Sequence, residues 1–139
     1  MSTDRDRRQG ARPEEATAPR DLGRQRAARA WAWVHEVKGK TYETRYGTLA
    51  RKLPSYLQVS GLGQTMAFLF SRGTDTGERA LYEHLSGHLR AHFKFGGRDA
   101  MEMIFQMSPS QYRQASQEAA FFAEWLKRFA DGLLDEEKE

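Results

Sequence analysis

Three histidines, His84, His88 and His92, lie four residues apart within one predicted helix. This spacing places their rings in a row along one side of the helix, and imidazole nitrogens are common ligands of zinc and nickel ions. The sequence has no H-E-x-x-H pattern and offers no obvious third ligand. The row also runs beside a stripe of leucines, which is typical of half-buried histidines at the edge of a core. We therefore predict packing histidines, with no metal ligand and no cofactor; a metal site is the alternative.

The residue patterns that support catalysis in other proteins are missing or out of place in this chain. Cysteine is absent, which excludes a thiol nucleophile. There is no G-x-S-x-G nucleophile elbow, and Asp99 and Glu102 have no matching base. Gly61 and Gly63 resemble the start of a dinucleotide-binding loop, but Met66 stands where the third glycine belongs. We predict no catalytic residue.

Basic side chains recur in the first half of the chain, and they have the chemistry to contact a phosphate backbone. Arg45 and Lys52 are seven residues apart and so lie on one side of the second predicted helix. Such a stripe would bind nucleic acid without reading its sequence, and the alternative is an ordinary solvated helix face. The residues assigned to this stripe are Lys38, Lys40, Arg45, Arg51, Lys52 and Arg72.

The last predicted helix carries two aromatic residues away from its core face. Phe121 and Trp125 are four residues apart and therefore neighbours on the helix surface, and Trp33 lies off the main apolar stripe of the first helix, to which Trp31 belongs. Exposed apolar patches of this size usually mark contacts with another molecule, although a neighbouring helix of the same chain is the alternative. The residues assigned to a subunit interface are Trp33, Phe121 and Trp125, with Arg128 and Glu118 on its rim.

Helical spacing of apolar residues predicts the elements that must position these side chains. The sequence has one isoleucine and no sustained alternation of apolar and polar residues, so no strand is predicted. Pro54 should kink or break the second helix, and Gly61 and Gly63 should separate it from a third, centrally buried segment. The predicted helices cover residues 21–37, 42–59, 64–70, 76–95, 98–106 and 109–133. Two of them have a capping-box spacing at their start, formed by Asp75 with Glu78 and by Ser108 with Gln111, the latter with Pro109 in the first turn. The fold class is all-α, a compact single-domain bundle of about five to seven helices.

Composition and charge define the domain organisation of the 139 residues. Residues 1–20 are predicted to form a disordered basic arm, residues 21–134 the helical domain, and residues 135–139 an acidic tail. The net charge of +3 divides into +7 for residues 1–72 and −4 for residues 73–139, a polarity that suits a polyanionic partner or end-to-end stacking. No apolar run is long enough for a membrane span, which favours a cytoplasmic protein. The absence of asparagine and the excess of Arg over Lys fit a thermophile or a GC-rich genome.

Two segments of the chain resemble a known family. Residues 46–57 read YGTLARKLPSYL and residues 61–69 read GLGQTMAFL, and the sequence near the C-terminus has Glu118 followed by WLKRFA at residues 125–130. This pattern is similar to that of the small helical subunit of the Cmr complex, the type III-B CRISPR RNA-silencing effector. The resemblance covers residues 24–130.

The resemblance implies a non-catalytic, all-helical subunit that stacks head to tail beside the subunits holding the guide RNA. Its implied partners are other copies of itself, other subunits of the Cmr complex, and the guide–target RNA duplex, which would make RNA the ligand of the basic stripe. Base pairing supplies the sequence selection in guide-directed systems, so such a subunit need only contact backbone and shape. A stand-alone helical nucleic-acid-binding regulator and a small metal-binding enzyme are the alternatives.

Overall fold

Five helices make up most of the part of the chain that the structure describes, as the all-α prediction requires. The computed structural model describes residues 19–94 and 99–135, and it contains no strand in these ranges. Most of the predicted arm (residues 1–20) and of the acidic tail (residues 135–139) lies outside them, as do the glycines at 96 and 97. The helices are α1 (Pro19–Val37), α2 (Glu43–Ser71), α3 (Gly77–His92), α4 (Ala100–Gln106) and α5 (Pro109–Leu133).

Helix α5 is at the centre of the packing. It contacts α1, α2 and α3, while α2 also packs against α3, and the short α4 contacts α2 and α3. The buried side of α5 consists of residues spaced three and four apart, among them Ala115, Ala119, Phe122, Leu126 and Ala130. The alanines let the neighbouring helices approach closely, and the larger residues fill the core. Among the described helices, none is long and apolar enough to cross a membrane.

Helix α2 is broken at Gly61, where the chain turns back on itself. Gly61 has a φ of 86° and a ψ of 166°, a conformation that residues with a Cβ rarely adopt. The turn brings the Thr65 hydroxyl within 3.2 Å of the Tyr56 carbonyl oxygen, to which it donates, although nine residues of straight helix would rise about 13.5 Å. The Gly63 N–H donates to the hydroxyl of Tyr112 on α5 at 2.9 Å. The predicted division at the glycines is thus confirmed.

The structure corrects two other expectations about α2. Of the kink or break expected at Pro54, the break does not occur, because the helix continues through that residue and only the glycine turn departs from helical backbone angles. The segment after the turn is also not buried on all sides. Leu62, Met66 and Leu69 face the core, but Phe70 is exposed, because apolar residues at three- and four-residue spacing cover only one side of a helix.

Capping residues fix where α3 and α5 begin. Ser108 accepts from the Gln111 N–H at 3.1 Å and Gln111 Oε1 accepts from the Ser108 N–H at 2.9 Å, so the predicted capping box is confirmed, with Pro109 in the first turn. The cap of α3 is Thr76, whose hydroxyl accepts from the N–H three residues later. The prediction of Asp75 for this role is wrong, since that residue has a φ of 59° and belongs to the preceding turn.

The turn in α2 generates the first testable prediction. Replacing Gly61 with alanine should lower the free energy of unfolding by more than about 1 kcal/mol, because its φ is unfavourable for any residue with a Cβ. The added Cβ would meet no atom closer than 3.9 Å, so the cost comes from the backbone and not from a clash. Urea unfolding followed by far-UV circular dichroism measures the change. The control is Gly23→Ala on α1, where an added Cβ meets nothing within 4 Å and a gain of about 0.5–1 kcal/mol is expected. Equal effects of the two substitutions would contradict the prediction.

Candidate functional site

The three histidines of the row do not converge on one point, since His84 binds a tyrosine whereas His88 and His92 both approach Glu118 Oε2, at 2.7 and 3.8 Å. His84 Nδ1 is hydrogen-bonded to the Tyr46 hydroxyl at 2.8 Å, and the His84 ring stacks on Trp33 with 5.2 Å between centroids. His88 is buried, whereas His92 is partly exposed. Within residues 19–94 and 99–135, no group of three His, Asp or Glu side chains is placed to hold a metal ion.

Glu118 on α5 is the centre of a buried polar network that joins three helices. Its carboxylate accepts hydrogen bonds from Nε and Nη2 of Arg26 on α1, at 2.7 and 2.8 Å, and lies 2.7 Å from Nε2 of His88 on α3. On the other side of the His88 ring, Nη1 of Arg29 is 2.8 Å from Nδ1. Because a guanidinium group can only donate, Nδ1 is the acceptor, and the geometry assigns His88 as the neutral tautomer that donates from Nε2 to Glu118.

Burial and hydrogen bonding set the charges of this network. Burial lowers the pKa of His88 to about 4, against the opposing effect of its hydrogen bond with Glu118. Burial acts to raise the pKa of Glu118, but the hydrogen bonds from Arg26 and His88 outweigh it, and the pKa falls to about 2. Burial likewise lowers the pKa of His84 to about 4. At neutral pH the network therefore contains one carboxylate, two guanidinium groups and a neutral imidazole.

The placement of Glu118 on the rim of a subunit interface is wrong. Only 5% of this residue is exposed, and its carboxylate is bound by side chains of the same chain. The sequence spacing carries a signal for this position, because Glu118 lies three residues from Ala115 and four from Phe122, both of which are on the buried side of α5. Arg26, its main partner, is 92 residues away and cannot be found from spacing.

Two residues of the basic stripe close the C-terminal end of α5. Arg51 donates to the carbonyl oxygens of Ala130 and Leu134, each at 3.0 Å, and to Asp131 Oδ1 at 2.8 Å. Lys38 Nζ donates to the Leu133 carbonyl oxygen at 2.9 Å. The last carbonyl groups of a helix have no intrahelical donor and carry partial negative charge. The structure thus gives Arg51 and Lys38 a role in the fold that the sequence analysis missed.

The other four residues of the stripe differ in whether groups of the same chain already contact them. Arg45 lies beside the buried carboxylate of Glu78, with Nη2 at 2.9 Å from Oε2. Lys40 and Lys52 are exposed. The guanidinium carbon of Arg72 lies over the Phe68 ring, 5.3 Å from its centroid. Lys38 and Arg45 are exposed too but already bind oxygen atoms of the chain, so among the described residues Lys40, Lys52 and Arg72 are the members of the stripe that are exposed and hold no carbonyl or carboxylate oxygen.

Ion pairs also connect the two halves of the sequence that differ in net charge. The three pairs are Arg26 with Glu118, Arg45 with Glu78, and Arg51 with Asp131. Each pair joins an arginine from residues 1–72 to a carboxylate from residues 73–139, because α1 and α2 pack directly on α3 and α5. The halves are therefore interleaved in space, and the sequence polarity does not translate into one basic end and one acidic end.

The two tryptophans of α1 have the opposite surroundings from those predicted. Trp33, assigned to a subunit interface, packs against the core of its own chain and makes edge contact with Phe122 at 5.9 Å between centroids. Trp31, placed on the core stripe, is 47% exposed. The spacing of Trp33 from the buried Ala30 and Val37, three and four residues, is the signal that indicates its inward position.

An aromatic surface lies where α1 and α5 meet. It consists of Trp31, Phe121, Trp125 and Phe129. The Phe129 ring contacts two of the others, with 5.2 Å between its centroid and that of Trp31 and 5.6 Å to that of Trp125. Phe121 and Trp125 remain 46% and 36% exposed. Arg26 lies 4.7 Å over the Phe121 ring, and exposed Arg128 lines the same shallow groove of about 340 Å³. Two of the predicted interface aromatics and the predicted Arg128 are thus brought together.

Asp99 and Glu102, the two carboxylates considered as candidates for hydrolysis, have other surroundings: one caps a helix and the other is exposed to solvent. Asp99 Oδ2 accepts hydrogen bonds from the Tyr82 hydroxyl and from the Met101 N–H, both at 3.0 Å, and thereby caps α4. Glu102 is exposed. Asp99 is committed to these two donors, so the pair does not form an acid–base couple.

The network around Glu118 yields a prediction about stability. Glu118→Ala should lower the free energy of unfolding by about 3–5 kcal/mol, because it leaves Arg26 and His88 without their buried acceptor. Urea unfolding measures the loss. Glu124→Ala on the same helix is the matched control, since that residue is exposed and should change the free energy by less than about 0.5 kcal/mol. A comparable loss in both variants would show that the network contributes nothing specific.

The buried imidazoles yield a prediction about pH. Between about 6.5 and about 4, the unfolded chain binds protons at positions 84 and 88 that the folded chain excludes, so the free energy of unfolding should fall as the pH falls. Each histidine contributes up to about 1.4 kcal/mol per pH unit. Glu118 adds a further loss below about 4.5, because its unfolded form takes up a proton first. His84→Gln keeps a partner for Tyr46 and should flatten the profile measured by urea unfolding; an unchanged slope would refute the assignment.

Comparisons with known proteins agree on one family. The family model described as CRISPR-associated protein (Cas_Cmr5) matches residues 22–133. The chain is 33% identical over 113 residues to the CRISPR system Cmr subunit Cmr5 of Thermus thermophilus, a match covering 79% of this chain and 93% of that protein. A crystal structure of a CRISPR-associated Cmr5 family protein, also from Thermus thermophilus, matches with a TM-score of 0.68 and 32% identity, over 79% of this chain and 94% of that one.

These matches span α1 to α5, so the similarity covers the whole described bundle. The resemblance identified in the sequence at residues 24–130 is confirmed by the family model, by the relative and by the fold. The chain belongs to the Cmr5 family and is a small subunit of the type III-B CRISPR complex.

Proposed function

We propose that this protein is a non-catalytic structural subunit that stacks head to tail and lines the groove holding the guide–target RNA of its complex. The observation that supports the proposal best is the aromatic surface between α1 and α5. Trp31 and Phe121 are each nearly half exposed, and a soluble domain rarely leaves such rings in a contiguous patch unless another surface covers them. A second molecule that packs on the patch would remove them from water.

The composition of the aromatic surface suits a protein partner. Interface centres are enriched in tryptophan, phenylalanine and arginine, and here Arg26 and Arg128 border Phe121 and Trp125. A heterologous contact of one end against another does not close on itself and so propagates as a row. Stacking rests on this surface and not on the charge difference between the two halves of the sequence, because ion pairs within the chain already join those halves.

The RNA contact falls to the cations that the fold leaves open. Lys40, Lys52 and Arg72 are exposed, whereas Arg51, Lys38 and Arg45 are held by carbonyl or carboxylate oxygens. Contacts from such side chains to phosphates carry no sequence information. They are sufficient for a subunit of a guide-directed complex, in which base pairing selects the target.

The aromatic surface generates a prediction about assembly. The double substitution Phe121→Ala and Trp125→Ala should reduce incorporation of the subunit into the complex at least tenfold, since aromatic anchors at interface centres each contribute about 2 kcal/mol or more. Co-purification with a tagged partner subunit, scored by quantitative mass spectrometry, measures incorporation. Far-UV circular dichroism of the isolated variant should remain unchanged.

Val59→Ala serves as the control for the loss of an exposed apolar side chain elsewhere on the surface. If the double variant assembles like the parent, the aromatic surface is not the subunit contact. If it unfolds as an isolated chain, the two rings belong to the core.

A further inference from the structure

We propose that the groove at the turn of α2 binds one unpaired nucleotide of a single-stranded RNA segment. This inference deepens the proposed function and rests on the RNA contact contained in it. The groove, called the turn groove below, has a volume of about 370 Å³. It is lined by Tyr56, Ser60, Gln64, Thr65 and Phe68.

The turn at Gly61 creates the groove. In a straight helix, Tyr56 and Phe68 would lie about 18 Å apart along the axis, since each residue rises about 1.5 Å. Because the chain folds back, their ring centroids are 6.3 Å apart. The hydrogen bond from Thr65 to the Tyr56 carbonyl oxygen fixes this approach. Two half-buried rings thus share one small depression at the surface.

The aromatic pair offers a stacking platform of a defined kind. The planes of Tyr56 and Phe68 are inclined at 65°, so a planar group stacks on the face of one ring and meets the edge of the other, and it does not slide between two parallel rings. A nucleobase is the planar group that RNA supplies, and stacking on aromatic side chains is the usual way in which proteins hold an unstacked base. The geometry therefore accommodates a single base and not a stacked run.

Polar atoms at the groove add hydrogen-bonding capacity. Gln64 and Ser60 are exposed, and an amide and a hydroxyl each provide both donor and acceptor atoms for the edge of a base. Thr65 contributes little because its hydroxyl already donates to Tyr56. An amide can turn to suit different base edges, so we expect weak discrimination among the four bases.

Positive charge lies beside the turn groove. Arg72 lies one helical turn beyond Phe68, with its guanidinium carbon 5.3 Å from the ring centroid. Lys52 lies one turn before Tyr56 and is exposed. The lining contains no carboxylate. A base stacked in the groove would thus have the Arg72 guanidinium group near its phosphate, which favours an RNA ligand over an apolar peptide.

Binding of an octauridine labelled with fluorescein, measured by fluorescence anisotropy with the full chain at low salt, tests the proposal. Phe68→Ala should weaken binding about tenfold, within the range found for loss of one base–aromatic stack, whereas Phe68→Tyr should bind like the parent. Arg72→Gln should reduce the slope of log affinity against log salt by about 0.7. Phe105→Ala is the control, because Phe105 is 74% exposed on α4 and outside the groove.

A second measurement locates the ligand directly. An octauridine carrying one 4-thiouridine, cross-linked by ultraviolet light and mapped by mass spectrometry, should attach within residues 56–68. Phe68 packs partly against the core, so a loss of affinity in Phe68→Ala alone would be ambiguous if that variant melted early. The exposed Arg72 and the cross-link do not depend on that variant.

The outcomes separate the turn groove from the wider proposal. If substitutions of Phe68 and Arg72 leave RNA binding unchanged and the cross-links map elsewhere, the proposal that the turn groove binds a base is wrong. The proposed RNA contact of the subunit would then still stand. Absence of binding to the octauridine at low salt also overturns the turn-groove proposal. If the groove variants reduce incorporation into the complex without changing RNA affinity, a protein segment occupies the groove and the proposal is wrong. The assembly experiment on Phe121 and Trp125 is unaffected by any of these results.

Discussion

The buried carboxylate of Glu118 is the constraint on which the arrangement of α1, α3 and α5 depends. It must have donors, because an ionised carboxylate enclosed by protein is very costly without them, and Arg26 and His88 supply three at 2.7 to 2.8 Å. These donors come from two helices that approach α5 from different sides. Apolar packing brings the helices together and tolerates small rotations, whereas the fork geometry of the arginine selects one orientation. The tautomer of His88 and the position of Arg29 follow from that orientation.

The need of carboxylates and helix-end carbonyl groups for hydrogen-bond donors also determines which side chains remain free to contact other molecules. Arginines that could have faced a polyanion instead bind carboxylates or helix-end carbonyl groups of their own chain, as Arg51 does at α5. What is left exposed is a smaller set of cations together with rings that the fold does not cover. The subunit therefore combines one buried charge network at Glu118 with two surface regions of mixed aromatic and basic character, one between α1 and α5 and one at the turn of α2.

Local sequence patterns predicted the elements well, and long-range pairing explains the failures. The capping box at Ser108 and the division at Gly61 depend on residues within a few positions of one another, so both could be predicted. The roles of Arg51 and Glu118 depend on partners 79 and 92 residues away, about which periodicity carries no information. Trp31 and Trp33 fall between these cases: both fit an apolar stripe at helical spacing and both contact α5, at Phe129 and Phe122, so spacing alone does not rank how far each ring is covered.

The two ends of α5 are capped by residues from very different parts of the chain, so they differ in how far their caps depend on tertiary structure. The cap of the first turn needs only Ser108 and Gln111. The last turn is capped by Lys38 and Arg51, which are 95 and 80 residues away from their partners. The N-terminal end of α5 thus has its side-chain cap within its own sequence, whereas the C-terminal end receives side-chain donors only where the segments that carry Lys38 and Arg51 pack against it.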